Sequence, residues 1–375
     1  MAIRTRICDL LEIEHPILLA GMGGASTPEL AAAVSNAGGL GVLGAAACGP
    51  RQLREWIQRP RALTDKPFGV DTLLPASVRR QAQLDSSTDG PKPAALLPEL
   101  KAFAAEFMAE AGLEKIERAE SQAVQEPDGP PIFTTEFFDA QMEVIIEERV
   151  PLYVSGLGNP GPWMERLKAN GTRVGAVVGK VKHAVQVMQS GIDFIVAQGH
   201  DGGGHNSPIG TIALVPQGVD AVGDLPVLGA GGITDGRGVA AAIMLGAEGA
   251  WVGSAFLASD EAGIHDFQKE AIVAASEDGT VVSRTVTGKP ARIIRSLWTD
   301  VWVREDKEPL PMPYQGAISG PVLAAANRDG RGDVNPGFAG QGIGMIKAVR
   351  PAAEILADIV DGTDRALRRT SNLAG

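Results

Sequence analysis

The stretch that decides the fold is residues 193–205, which read DFIVAQGHDGGGH. Its first half, Phe194 to Ala197, is a short apolar run typical of a buried strand, and a turn of Gly, Asp and His follows at once. A strand that ends in glycines and a titratable side chain is how an α/β barrel presents chemistry. The consecutive glycines let the backbone approach a flat ligand, because no Cβ intrudes. The imidazole of His205 could then give or take a proton near neutral pH.

A second glycine-rich region follows the same design. Residues 226–232, PVLGAGG, form a short apolar run that ends in glycines, and residues 235–245 have helix-type sequence. Residues 249–254, GAWVGS, repeat the pattern. Glycine turns that lead into helix N-termini bind anions, because free N–H groups and the helix dipole both favour a phosphate. Two such turns on successive strands match the phosphate site after the last two strands of a (β/α)8 barrel.

The composition indicates a globular chain with a large core. Its 375 residues allow one large barrel or two medium domains. Charged residues make up 21% and hydrophobic residues 44% of the chain, which is ordinary for a globular protein. The net charge of −11, from 34 basic and 45 acidic residues, argues against nucleic acid as a main partner, because such proteins usually carry a basic face.

The sequence predicts neither a metal site nor a membrane segment. Its two cysteines, Cys8 and Cys48, form no CxxC motif or Cys/His cluster, so zinc and iron–sulfur sites are not expected. The first residues lack the apolar core of a signal peptide, and no run of about 18 apolar residues occurs. We therefore expect a cytoplasmic protein that acts on a small molecule.

Strand and helix patterns alternate along the chain as in a parallel βα barrel. Ser26 or Thr27 before Pro28 predicts a helix start, with an N-cap and a proline at the first helical position. The predicted strands are residues 16–20, 40–43, 68–71, 152–154, 173–178 and 194–197, followed by the two of the glycine-rich region. The predicted helices are residues 28–36, 50–58, 97–111, 135–148, 162–169, 181–189, 235–245, 271–275 and 347–361. Eight strands result, so the predicted fold class is α/β, a (β/α)8 TIM barrel.

Two parts of the chain interrupt the barrel pattern. Residues 76–130 are polar, charged and partly helical, and predict an insertion after strand 3 that serves as a lid or as the contact of a homo-oligomer. Residues 261–375 no longer alternate regularly, and 305–340 are rich in Pro and Gly. We expect this C-terminal extension to pack on the barrel. The barrel itself is then built from residues 1–75 and 131–260.

Residues 156–161, GLGNPG, spell a GxGxxG motif after a strand, but they do not predict a dinucleotide site. Pro160 has no amide hydrogen to donate. In addition, no Asp or Glu stands about 20 residues further on. A tight turn between a strand and a helix explains the motif better.

Two of the five histidines, His200 and His205, share the loop after strand 6. For both, a histidine that makes only local hydrogen bonds is the alternative to a catalytic one. Asp201 could orient His205 or cap the turn. The pattern of residues leaves these alternatives open.

Four motifs stand together in this chain: PILLAGMG at 16–23, AQGHDGGGH at 197–205, GAGGITDGRG at 229–238 and LGAEGAWVGS at 245–254. With them the chain resembles the nitronate monooxygenase family, also called 2-nitropropane dioxygenase-like, in which the second motif reads AQGxEAGGH. The kinship extends to flavin-dependent enoyl-thioester reductases of the same barrel type. The resemblance covers residues 13–71, 150–257 and 340–359, is absent over 76–130 and is weak over 275–335.

The resemblance implies FMN bound at the carboxyl ends of the strands, with His205 as the catalytic histidine. The residues expected beside the isoalloxazine ring are Gly21, Met22, Gly23 and Asp71. Those expected near its face and along the ribityl chain are Gln198, Gly203 and Gly204. Those whose N–H groups are expected to hold the phosphate are Gly231, Gly232, Gly253 and Ser254.

Two departures from the family matter for function. Asp71 stands where the family often has Asn, and a carboxylate near a flavin ring would disfavour the reduced anionic flavin. Val177 stands where some members have Lys, so that cation is missing. These departures bear on redox tuning and substrate rather than on the fold.

Three functions follow from the sequence. The first is a nitronate monooxygenase, in which an alkyl nitronate and O2 give a carbonyl compound and nitrite, and His205 binds the substrate anion and acts as acid or base. The second is an FMN-dependent reductase or dehydrogenase of an acyl thioester or a quinone that uses NADH or NADPH, because the 76–130 insertion could build a site for a large substrate. The third is a barrel without catalysis that serves as a scaffold, against which the intact glycine turns argue.

Overall fold

Eight parallel strands form a barrel in the computed structural model, which describes residues 3–74, 93–114 and 129–371. Three further strands among the described residues form a small antiparallel sheet. In chain order the strands are β1 (Ile17–Leu19), β2 (Gly41–Gly44), β3 (Phe68–Leu73), β4 (Leu152–Leu157), β5 (Arg173–Val178), β6 (Phe194–Gln198), β7 (Gly204–His205), β8 (Val227–Ala230), β9 (Gly249–Val252), β10 (Thr280–Ser283) and β11 (Ala291–Ile294).

The barrel strands follow the order β1-β9-β8-β6-β5-β4-β3-β2, and every neighbouring pair is parallel. Two hydrogen bonds close the ring between β1 and the start of β2. The N–H of Leu19 donates to the carbonyl of Leu40 over 2.9 Å, and the N–H of Leu40 donates to the carbonyl of Ile17 over 3.1 Å. The predicted (β/α)8 fold class is therefore confirmed.

The helices that accompany the strands begin at local signals. The Thr27 hydroxyl accepts a hydrogen bond from the N–H of Leu30 and so caps the second helix. In the described ranges the helices are α1 (Arg6–Leu11), α2 (Pro28–Asn36), α3 (Pro50–Arg61), α4 (Pro93–Glu110), α5 (Thr135–Glu147), α6 (Met164–Ala169), α7 (Val181–Met188), α8 (Thr211–Val222), α9 (Gly236–Met244), α10 (Ser254–Leu257), α11 (Asp266–Ala274), α12 (Leu297–Arg304), α13 (Gly316–Arg328) and α14 (Ala352–Ser371).

The barrel has an inner and an outer apolar layer, as alternating strand residues require. The inner layer includes Phe194 and Trp251 and continues into Ile7 and Leu11 of α1, which closes the amino end of the barrel. The Phe194 ring occupies the space that a side chain on Gly175 would need. The outer layer joins the other strand faces to the surrounding helices. Because the interior and the amino end are packed with apolar side chains, polar side chains are left to the carboxyl-end mouth.

A second apolar core lies outside the barrel and joins two distant parts of the chain. Helix α4 packs against α12 and α13, and rings of Phe103, Phe107, Trp298 and Trp302 meet at centroid distances between 5.0 and 6.2 Å. No helix is predicted in residues 305–340, which are rich in Pro and Gly. Helix α13 forms there because burial of its apolar face against this core outweighs the weak local propensity.

The last helix and the insertion differ from the sequence-based bounds. Helix α14 begins at Ala352 rather than at residue 347 and continues to Ser371. Of the predicted insertion 76–130, residues 76–92 and 115–128 lie outside the described residues. Across the part of the chain that is described, no helix has both the length and the apolar character needed to cross a bilayer.

Candidate active site

The residues singled out from the sequence lie toward the carboxyl ends of barrel strands or in the segments that follow them, at the carboxyl-end mouth. Gly21, Met22 and Gly23 follow β1, Asp71 lies in β3, and Gln198 ends β6. Gly203 lies in the loop after β6, and Gly204 and His205 form β7. Gly231 and Gly232 follow β8, and Gly253 and Ser254 follow β9. In TIM barrels this face carries the chemistry.

Asp71 occupies a space that two glycines leave for it. A Cβ on Gly21 would collide with the Asp71 side chain, and so would a Cβ on Gly156. The Asp71 side chain is buried, and burial raises its pKa well above the usual 3.8, although a hydrogen bond with the Gly156 backbone lowers it in part. Burial also raises the pKa of Tyr153, and Asp71 raises it further.

The raised pKa of Asp71 changes one expectation drawn from the sequence. An ionised carboxylate beside a flavin would oppose a reduced anionic ring, but desolvation favours the neutral acid. A neutral carboxylic acid can donate one hydrogen bond, as the amide of Asn can. A neutral Asp71 therefore differs less from the family's Asn than an ionised aspartate would, because neither side chain carries a charge.

The turn after β1 is held between neighbouring strands by close backbone contacts. A Cβ on Gly44, at the end of β2, would collide with the carbonyl oxygen of Met22. On its other side, the sulfur of Met22 lies 3.4 Å from the position of a Cβ on Gly253. Gly23 itself faces open space, because a Cβ added to it would have nothing within 4 Å. This arrangement leaves open space beside Gly23.

The two later glycine turns form a cradle of backbone. Gly231 and Gly232 have φ angles of 99° and 72°, in the left-handed region that favours glycine. A Cβ on Gly231 would lie 2.8 Å from the Thr211 hydroxyl oxygen, and one on Gly232 would lie 3.0 Å from the Asp201 Cβ. The backbone at these two glycines therefore packs closely against the Thr211 and Asp201 side chains, which leaves no space for a side chain of its own.

The other wall of the cradle is the start of α10. Its first residue is Ser254, so the N–H groups of its first turn have no acceptor within the helix. The Ser254 hydroxyl accepts a hydrogen bond of 2.8 Å from the N–H of Gly340. The backbone around Gly340 and Ala339 also packs against Gly203, because a Cβ there would lie 2.7 Å from the Ala339 carbonyl carbon.

His205 reaches the site through the small sheet. It pairs with Ala291 of β11, and its carbonyl accepts a 3.0 Å hydrogen bond from the Gln198 side chain. The ring Nε2 lies 2.9 Å from the hydroxyl oxygen of Thr287. The side chain keeps an exposed surface at the mouth, yet surrounding protein desolvates the ring, and with repulsion from Lys289 this lowers its pKa from 6.5 to about 4. His205 is therefore neutral at pH 7.

Asp201 and His200 stabilise the loop rather than orient the His205 ring. The Asp201 carboxylate accepts a hydrogen bond of 2.8 Å from the N–H of Thr211, at the start of α8. The His200 Nδ1 lies 2.9 Å from the carbonyl oxygen of Ser207. Of the two alternatives for Asp201, the structure therefore has the capping one.

Sequence reasoning missed the residues that β10 and β11 bring to this loop. Arg292 is only 3% exposed, and its guanidinium donates to the carbonyl of His200 at 3.1 and 3.3 Å and to the Thr280 hydroxyl at 3.2 Å. Burial lowers its pKa, and Asp201 partly offsets that effect. Thr287 and Lys289 were missed as well. All of them lie in residues 275–335, where the motif resemblance is weak, and no local pattern marks them.

The GxGxxG motif at 156–161 is part of a turn, as expected. Strand β4 ends at Leu157, Gly158 has a φ of 105°, and a 3-10 turn at Gly161–Trp163 leads into α6. Gly156 contributes to the mouth through its contact with Asp71.

The family model described as nitronate monooxygenase matches residues 4–362, including the stretches where the motifs alone gave little or no resemblance. A Mycobacterium tuberculosis protein to which a monooxygenase activity is attributed, Rv1533, is 38% identical, and the alignment covers 96% of each chain.

Two solved structures of similar proteins cover nearly the whole chain. FabK from Thermotoga maritima is 33% identical with a TM-score of 0.73, covering 99% of both chains. A nitroalkane oxidase from Streptomyces ansochromogenes is 29% identical with a TM-score of 0.79, covering 97% of this chain and 99% of that one. The chain belongs to the nitronate monooxygenase family and is a flavin-dependent oxidoreductase.

Proposed function

We propose that this enzyme holds FMN at the barrel mouth and oxidises an alkyl nitronate with O2, giving a carbonyl compound and nitrite. The observation that carries the proposal is a neutral imidazole, His205, beside a cradle of glycine backbone. A nitronate is the conjugate base of a nitroalkane, so the similarity to a nitroalkane oxidase supports a related class of substrate.

The described residues fit the proposed FMN. The turn at Gly231 and Gly232 presents backbone rather than side chains after β8, and the α10 start at Gly253 and Ser254 offers N–H donors for a phosphate. Gly21, Met22, Gly23 and Asp71 would border the ring; Gln198, Gly203 and Gly204 would lie near its face and the ribityl chain. When bound, FMN would supply the electron acceptance and the reaction with O2 that no amino-acid side chain provides.

His205 is suited to an anionic substrate. Its ring is neutral at pH 7, so it can hydrogen-bond a nitronate without a carboxylate partner competing for the proton. Lys289 lies near enough to repel a proton from the ring, and the same positive charge favours an incoming anion. His205 would therefore bind the nitronate group by a hydrogen bond.

Oxygen uptake tests the proposal directly. We expect purified FMN-loaded protein to consume O2 with propionate 3-nitronate or propane-2-nitronate, and His205→Ala to lower the rate by about 10²–10⁴-fold. The flavin absorbance of the variant serves as the control, because a variant that retains FMN has kept its cofactor site. Wild-type protein that turns over neither nitronate would contradict the proposal.

A second candidate function is an NADH- or NADPH-linked reductase of an acyl thioester or a quinone. The similarity to FabK favours it, as does the presence of α4 and the second core beside the loop that contacts His205. Anaerobic titration separates the candidates. Rapid bleaching of the flavin by NADH or NADPH without any nitronate would favour the reductase, and bleaching by a nitronate alone would favour the oxidase.

A further inference from the structure

The two ring nitrogens of His205 have different surroundings. Nε2 lies 2.9 Å from the Thr287 hydroxyl oxygen. For Nδ1, the described residues provide no hydrogen-bond partner. A neutral imidazole carries its hydrogen on only one of these atoms, and the partner of the other atom decides which one. The state of the Thr287 hydroxyl therefore determines what His205 presents to a substrate.

The distances assign the hydroxyl hydrogen of Thr287. The hydroxyl has one hydrogen to donate, either to His205 Nε2 at 2.9 Å or to the Lys289 carbonyl at 3.3 Å. A separation of 3.3 Å exceeds the usual O–H···O range of about 2.5–3.0 Å. The N–H of Lys289 meanwhile approaches the same oxygen from 3.3 Å as a donor. The arrangement with the best geometry has Thr287 accept from Lys289 N–H and donate to Nε2.

The loop that carries Thr287 is held from the side opposite His205. The Thr285 carbonyl accepts hydrogen bonds from the Trp298 indole N–H at 3.1 Å and from the Gln315 amide at 2.7 Å. The Ser319 hydroxyl donates to the Val286 carbonyl over 2.7 Å. All three donors lie on or beside α12 and α13 of the second core, so the loop has little freedom to withdraw from the ring.

We propose that Thr287 is a positioning residue that holds His205 as the Nδ1–H tautomer, so that the ring presents a hydrogen-bond donor to the substrate. This inference rests on the proposed function and narrows its substrate. An Nδ1–H donor matches the oxygen atoms of a nitronate anion. Without a lone pair on Nδ1, the ring cannot remove the α-hydrogen of a neutral nitroalkane, so the enzyme selects the nitronate.

Nitrogen-15 NMR of histidine-labelled protein tests the tautomer without relying on catalysis. The His205 signals are assigned by their loss in His205→Gln, in both FMN-free and FMN-loaded protein. We expect wild type and Thr287→Ser to carry the hydrogen on Nδ1, and the isosteric Thr287→Val to shift the ring toward Nε2–H. A wild-type ring protonated on Nε2, or a ring unchanged in Thr287→Val, overturns the proposal.

Kinetics of the same variants add a second readout. In Thr287→Val the His205 ring no longer presents its N–H to the charged nitronate. Loss of that hydrogen bond predicts that KM for propionate 3-nitronate rises by about 10- to 100-fold, while Thr287→Ser stays close to wild type. Neutral nitroethane should not be a substrate of the wild type, and its turnover at a rate comparable to the nitronate would contradict the selection.

The two proposals fail in different ways. If no nitronate is oxidised but the NMR tautomer follows the Thr287 hydroxyl, the proposed function is wrong and the positioning role stands. If nitronates are oxidised but the tautomer ignores Thr287, the positioning role is wrong.

Discussion

At the scale of single residues, the mouth of the barrel depends on what glycines leave out. Gly21 and Gly156 make room for Asp71, and Gly231 and Gly232 let the backbone pack against Thr211 and Asp201. Packing Asp71 so tightly removes water from its carboxyl group, and this desolvation raises the pKa of the carboxyl. The protonation of Asp71 is therefore linked to folding.

Asp71→Asn tests this linkage. The folded protein keeps the Asp71 proton at pH values where the unfolded chain, with a pKa near 3.8, has released it. The stability that this proton contributes is fully present below pH 3.8 and is lost as pH rises through the folded-state pKa. We expect Asp71→Asn to have a higher Tm than wild type at pH 7, and the difference to shrink as pH falls toward 4. The check is thermal unfolding at several pH values. A Tm difference between the two proteins that is constant from pH 4 to 8 would show that the pKa of Asp71 is not raised by folding.

At the scale of elements, the end of one strand restricts the turn that follows the neighbouring strand. Strand β2 ends in Gly44, which lies against the carbonyl of Met22 in the turn after β1. The shape of that turn is thus set by a residue outside it.

Gly44→Ala should distort the turn after β1. The added methyl group collides with backbone, which cannot move as a flexible side chain can, so we expect a loss of about 1–3 kcal/mol of unfolding free energy and a lower FMN content. Gly23→Ala is the matched control in the same region, because its methyl group meets open space, and we expect a change within about 0.5 kcal/mol. Urea unfolding measures the free energy of unfolding of both variants, and flavin absorbance measures their FMN content. Equal losses in the two variants would argue against the close contact.

The elements that could be predicted from sequence are those with local signals. Helix α2 was predicted residue for residue, because Thr27 and Pro28 start it. Helix α8 was missed, since Pro216 within it weakens the local pattern and burial of Leu214 and Val215 stabilises it instead. The same distinction holds in the site: the glycine turns are contiguous motifs, which sequence can reveal.

The contact between His205 and Thr287 joins residues 82 positions apart, and strand β7 has only two residues. Pairing of β7 with β11 is what brings Thr287 and Arg292 to the loop. No periodicity within either segment specifies the other as its partner. This half of the candidate site therefore required the folded structure.

At the scale of the whole molecule, the second core and the mouth of the barrel share one loop. Trp298 packs in the core with 0% exposure and donates its indole N–H to Thr285, two residues before Thr287. Trp302 packs in the same core, but its indole nitrogen has no hydrogen-bond partner among the described residues. The two tryptophans thus differ in their connection to the site.

Replacing each tryptophan by phenylalanine separates packing from this connection. Both variants lose part of a buried ring, but only Trp298→Phe also leaves the Thr285 carbonyl with one donor fewer, a loss of about 1 kcal/mol. We expect Trp298→Phe to raise KM for the nitronate, and Trp302→Phe to leave it near wild type. Urea unfolding and oxygen uptake provide the two measurements. The same KM in both variants would mean that the loop does not depend on the core.

The second core also sets an order of events during synthesis. Its first partners end at Leu113 and its last is Val334, about 220 residues later. At roughly 5–20 residues per second, the ribosome needs on the order of 10–40 s to supply them. During that interval the aromatic face of α4 has left the ribosome but lacks its packing partners in α12 and α13, while the barrel strands can already assemble. In a nascent chain stalled before α12, Phe103 and Phe107 would therefore be exposed and accessible to a chaperone at the ribosomal exit tunnel.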